Sequence, residues 1–409
     1  MQQNRKISFN WAATIALVIA TFAITLFTVA YKLPQVYKYE NDVVGNKVEE
    51  ADTEFLKNST ISSEDSAPYL ETGLDNIFYT ADSLGKINFY KFSDGTYEKV
   101  KATKTVKFAL PGTDDGKNVE ISFVTDGNNT MGFGVYSKKD STTYPYAFIK
   151  VIQNTITDNY DYIAFIDNDI ADYYKSDKTY NYAYAFSAKK SDVQEIFALD
   201  NETSFIPVDL IVEKHDGFYY FMSNGSDYSY TLYYKNTISG YAVVYAENIA
   251  LPYAFCKDNQ LLLLETIDGA LCLRAVGNFD EVNVKVFSGS PSQYLVKDEY
   301  ILDTESKTLY DVLGATEQIM NSQISITNLE DFAVSSGGSK IAIAGSLGST
   351  SKLFLYEFAT GNLKTIDGNG IFLSGNPNLI FSGNYLLFLS PATKSDKVVN
   401  IAIPWDSIM

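Results

Sequence analysis

Residues 332–366 read FAVSSGGSKIAIAGSLGSTSKLFLYEFATGNLKTI. Apolar runs of strand length alternate there with three turns: Ser336-Gly337-Gly338, then Leu347 to Ser351, then Thr360-Gly361. Period-two alternation between glycine turns marks antiparallel strands. The stretch is therefore one four-stranded meander.

The closing hairpin of that meander is written a second time. Residues 86–100, KINFYKFSDGTYEKV, align without a gap on 352–366, KLFLYEFATGNLKTI, sharing Lys86/Lys352, Tyr90/Tyr356, Phe92/Phe358 and Gly95/Gly361. The same template starts at Tyr69, Val119, Tyr162, Leu210, Tyr253, Tyr294, Phe332 and Leu379, at intervals of 38 to 50 residues. A four-stranded meander repeating at roughly 35–45 residues is the unit of a β-propeller blade. The pattern predicts an all-β fold, a β-propeller of four-stranded antiparallel blades. Eight blades are expected, with seven as the next count, because the Val119 and Tyr162 units are the most irregular. The Leu379 unit shows three clear strands, so its fourth is expected from the segment before Tyr69 or from the first unit.

The Phe332 unit resembles the WD40-like repeats of TolB-type propellers, with an aromatic residue, a Ser-x-Gly-type turn, an apolar strand and a terminal hairpin closing near glycine. The resemblance extends to the first, fifth and last units. Standard WD40 blades carry a Gly-His to Trp-Asp signature, and the only tryptophans here are Trp11 and Trp405. Propellers host unrelated activities, so the resemblance implies a fold and not a function.

Outside the repeats, residues 11–31, WAATIALVIATFAITLFTVAY, are 21 uncharged residues. At ~1.5 Å per residue they cross a hydrocarbon core of about 30 Å. Arg5 and Lys6 precede them, which predicts a cytoplasmic N-terminus. A cleaved signal peptide is the competing reading, with Thr28 and Ala30 as its small residues, but the apolar run exceeds the ~7 to 15 residues usual there. The expected organisation is a cytoplasmic N-terminus (1–10), a transmembrane helix (11–31), an acidic stalk (32–68) and an extracytoplasmic propeller (69–409) on a single-pass cell-membrane protein.

Composition narrows the chemistry. The 409 residues hold 50 Asp plus Glu against 32 Lys plus Arg, a net charge of −18, which argues against a nucleic-acid partner. Arg5 and Arg274 are the only arginines, so the arginine triad of sialidases cannot be built. The lone histidine, His215, reads as a turn residue, and no multi-histidine zinc site is possible. Cys256 and Cys272 are expected to remain unpaired, Cys256 facing Leu261 and Cys272 facing Glu265 on strands two apart. In Asp167 to Asp172, DNDIAD, two carboxylates have calcium-loop spacing, but Ala171 stands where a third ligand belongs. No metal or cofactor is expected.

Two functions follow from this reading. One is a non-catalytic binding or scaffolding module for a protein, peptide or glycan at the cell envelope; the other is a surface carbohydrate-active hydrolase using a carboxylate pair. The expected ligand surface is the loop of the third unit carrying Asp169, Asp172, Tyr173 and Tyr174. Its adjacent tyrosines cannot both face one core. In YNYAYAF, by contrast, Tyr180, Tyr182, Tyr184 and Phe186 alternate with small residues, as packing between neighbouring blades requires.

Overall fold

Left-handed backbone at Asp94 and Gly95, with φ of 49° and 81°, turns residues 87–100 into a hairpin with a two-residue loop. Such a loop matches the natural twist of its strands. The second copy of this hairpin closes through a four-residue loop, Glu357 pairing with Asn362, with Gly361 at φ 69°. The register moves by two residues, so every side chain keeps its face.

The computed structural model describes residues 59–61, 68–81, 86–109, 118–137, 146–153, 159–167, 179–190, 192–199, 203–208, 216–276, 282–320, 324–326, 328–368, 371–372, 375, 377–391 and 398–409. They belong to one compact unit, Asn58–Met409. The 11–31 stretch lies outside the described residues, among which no helix is long and apolar enough to cross a membrane.

Strand β1 is Thr60–Ile61. Sheet I is β2 (Leu70–Leu74), β3 (Ile77–Ala81), β4 (Ile87–Ser93) and β5 (Thr96–Val100). Sheet II has seven strands: β6 (Lys104–Ala109), β7 (Asn118–Thr125), β8 (Thr130–Ser137), β9 (Tyr146–Gln153), β10 (Tyr162–Asp167), β11 (Tyr182–Ser187) and β12 (Asp192–Ala198). Another run of seven comprises β13 (Phe205–Val208), β14 (Gly217–Ser223), β15 (Tyr230–Asn236), β16 (Ala242–Lys257), β17 (Gln260–Ile267), β18 (Ala270–Val276) and β19 (Val282–Phe287). Sheet V is β20 (Tyr294–Lys297), β21 (Tyr300–Asp303), β22 (Thr308–Asp311) and β23 (Thr316–Ile319). Sheet VI is β24 (Asn328–Val334), β25 (Lys340–Leu347), β26 (Thr350–Glu357) and β27 (Asn362–Asp367). Sheet VII is β28 (Ile380–Ser382), β29 (Tyr385–Pro391) and β30 (Val398–Pro404), with β1 paired outside β30.

The two seven-stranded runs differ in kind. In the second, β16 pairs with β15 through residues 242–249 and with β17 through 249–257, with irregular register on either side of Leu251. This strand is the last of one four-stranded sheet (III) and the first of the next (IV). In sheet II, β9 instead pairs along its length with both β8 and β10, so no blade boundary exists there. Among the described residues the strands therefore form seven sheets rather than the eight expected first, because the Val119 and Tyr162 units merge into sheet II.

Rolling explains the merger. Phe108 on β6 stacks on Phe186 of β11 at 4.1 Å between ring centroids, and Lys104 donates to the Tyr162 hydroxyl at 2.8 Å. Five strand steps at ~4.8 Å would hold flat strands about 24 Å apart. The sheet curls until its two halves share a core of Phe108, Ile121, Phe123, Ile149, Tyr184 and Phe186. Gly132 and Gly134 of β8 allow the curl, since a Cβ at Gly134 would stand 2.4 Å from Ile121 Cδ1. The tyrosine face of YNYAYAF is corrected accordingly: Tyr184 and Phe186 fill the roll, while Ala183 and Ala185 meet the inter-sheet core.

Each sheet packs on the next. Tyr79 of I stacks on Phe133 of II at 4.4 Å, and Phe165 of II meets Phe218 of III edge-on at 5.2 Å. Sheets III and IV share β16 and a core of Tyr219, Leu232, Leu261 and Leu263. Leu262 and Leu264 of IV pack with Ile301 and Tyr310 of V, and Leu302 of V with Phe332 and Ile341 of VI. Lys340 of VI donates to Asn384 of VII at 2.6 Å and lies 5.6 Å from the ring centre of buried Trp405. Phe92 of I meets Tyr385 of VII edge-on at 5.4 Å, and the Tyr69 amide donates to Asn400 at 2.8 Å. The ring is closed. Thr60–Ile61, from the 32–68 stretch read as stalk, supplies the fourth strand of the last sheet, opposite Ala402 and Ile401.

Candidate functional site in the middle of the ring

The first strands of sheets V, VI and VII adjoin at the middle of the ring, β20 against β24 and β24 against β28, and in sheets I, V and VI the first strands carry charge. Their sequences are LETGL, YLVK followed by Asp298, and NLEDFAV. A charged residue inside an otherwise apolar first strand is the signal that identifies this site in the sequence, and it escaped the reading above, which looked for aromatic loops.

Lys297 and Asp331 form the fixed part. The Lys297 ammonium donates to Asp331 Oδ1 at 2.9 Å, to Oδ2 at 3.1 Å and to the Leu379 carbonyl at 2.6 Å. Asp331 Oδ1 also accepts the Phe332 amide at 2.8 Å, and Oδ2 accepts the Leu379 amide at 2.7 Å. Both carboxylate oxygens are thus engaged twice. The arrangement ties V, VI and the entry to VII together, and a carboxylate so occupied is structural rather than nucleophilic.

Glu71 and Asp298 form the open part. Both are solvent-exposed, and among the described residues neither carboxyl has a hydrogen-bond or ion-pair partner. Glu71 is nonetheless deep within the protein, and this burial raises its carboxyl to about 7, opposed by Lys297 and reinforced by Asp298 and Asp331. Water reaches it, so the carboxyl is surrounded by protein and yet wet, not sealed in a dry core. Asp298 is pushed up by burial too, again against Lys297 and with Asp331. Three carboxyls share one lysine, which Asp331 already holds.

Asp169, Asp172, Tyr173 and Tyr174 lie outside the described residues, in the connection between β10 and β11, and so does His215. Cys256 faces Leu261 and Cys272 faces Glu265, the register expected, and both thiols are free. Arg274 is held by Glu265 at 2.7 Å, with both side chains largely buried, and reads as structural. Among the described residues no group of three or more His, Cys, Asp or Glu side chains could hold a metal ion.

No protein-family model matches this chain. No curated protein matches it either. Oligogalacturonate lyase from Vibrio parahaemolyticus is similar in structure at 10% identity, covering 84% of this chain and 100% of its own, with a TM-score of 0.37. The Swd1 β-propeller domain of Myceliophteria thermophila is 10% identical over 84% of this chain and 98% of its own, at 0.36. A prolyl endopeptidase is 11% identical over 88% of this chain and 52% of its own, at 0.37. Likeness at these scores decides neither activity nor ligand, and the architecture rests on the seven sheets themselves.

Proposed function

We propose that the protein is a non-catalytic binding module of the cell envelope, anchored through residues 11–31, whose axial channel takes a cationic side chain of a partner protein or peptide. One observation carries this reading: Glu71 and Asp298 stand exposed beside a lysine that Asp331 and Leu379 already occupy. An exposed carboxyl pair short of a counter-charge suits a lysine or arginine from outside. A fluorescent oligolysine peptide added to the full chain tests it. Binding is expected to strengthen as pH rises through about 7, where Glu71 ionises, and to weaken roughly tenfold in Glu71→Gln. Glu98→Gln on the outer strand β5 should bind as wild type. Equal binding by Glu71→Gln at every pH would assign the affinity to the general negative charge and remove the reading.

The raised Glu71 carboxyl also favours a second reading, the carbohydrate-active hydrolase, because a carboxyl half-protonated near neutral pH can donate a proton to a leaving oxygen. Asp331 is a poor partner for it, since both oxygens are taken. Turnover of an oligosaccharide by wild type and its loss in Glu71→Gln would put this reading first.

A further inference from the structure

Apolar exposure is concentrated on one arc of the ring. Of eleven large apolar side chains exposed among the described residues, nine lie on sheets III, IV and V or in the turns within them. Tyr241 immediately precedes β16, Val243 and Val244 sit at its start, Val284 and Val286 on β19, and Ile319 on β23. These are the outermost strands of three consecutive sheets. The corresponding strands β5, β12 and β27 present polar and charged residues instead, TYEKV, DVQEIFA and NLKTID. Open strand edges bearing valines invite pairing unless covered.

We propose that this arc is the contact face between two copies of this chain. Charge argues for a copy over a foreign protein. A molecule of net charge −18 repels itself, and two copies can approach only where carboxylates are sparse. On β19 and β23 the Lys285 ammonium neutralises Glu317 at 2.5 Å, leaving Glu247 as the one unpaired charge on the three outer-strand segments. A basic partner would be drawn to the acidic remainder of the surface. An antiparallel edge is also self-complementary about a two-fold axis, as an isologous contact requires.

The test is the mass of the full chain by sedimentation at micromolar concentration, in detergent where it fractionates with membranes. Wild type is expected at twice the 45.5 kDa chain mass, and Val243→Lys with Val286→Lys at a single chain mass with unchanged melting temperature. Lys364→Glu on β27 should stay dimeric. Should the lysine variant lose its melting transition, Val243→Thr with Val286→Thr replaces it, with dimer association weakened by at least about tenfold. A wild type that is monomeric at every concentration, whether or not another protein binds it, overturns the proposal. A dimer that survives both pairs of substitutions does so equally.

Discussion

Glu71 is the side chain on which the proposed function and the pH dependence of stability both turn. Its carboxyl titrates at about 7 in the folded chain against an ordinary value of 4.5, so between those limits the folded state holds a proton that the unfolded state has lost. Stability therefore falls as pH rises across that window and levels off above it. Glu71→Gln has no proton to lose. Its melting temperature should match wild type near pH 4.5, exceed it increasingly up to about pH 7, and keep a constant margin beyond. A margin that is independent of pH would mean that Glu71 is as well solvated as a surface carboxylate.

At the scale of the element, the strand alternations and turns could be read from residue types. Ser335 to Ser339 and Asp94-Gly95 are loops because Gly337, Gly338 and Gly95 adopt the positive φ those turns need. The Cys256–Leu261 and Cys272–Glu265 pairings follow from the same turns. Where one sheet stops was less visible. Apolar strands such as YIAFID are buried on both faces whether they belong to a blade or to a roll, and residue type alone does not separate the two. The alternating glycines of MGFGVYS, which let β8 close on Ile121 and Phe123, were the available clue. Gly134→Ala tests the roll, since the added methyl meets Ile121 at 2.4 Å and the Glu120 carbonyl at 2.8 Å. A loss of roughly 2 kcal/mol is expected in urea unfolding at unchanged slope. A neutral or stabilising substitution would mean that the two halves of sheet II are not pressed together.

The whole molecule depends on closure. Sheet VII takes β30 from one end of the ring and β1 from the other, with β30 between β29 and β1. The need for a borrowed strand was legible, because the Leu379 unit was one strand short. The axial cluster was not, because Glu71 stands more than two hundred residues before Lys297 and Asp331 and meets them only once the ring has closed. Deleting residues 398–409 removes the partner of both flanking strands and buried Trp405, and is expected to abolish the cooperative melt of the ring. A truncated chain that melts like the intact one would show sheets that stand independently.

The single strand β16 serves two sheets, and this has a mechanical consequence. Force applied across sheet III passes along a continuous backbone into sheet IV, because no loop lies at Ile249 to absorb it. Amide protons of residues 242–257 should accordingly exchange with deuterium in one cooperative opening, and stretching the chain should release the two sheets in a single rupture.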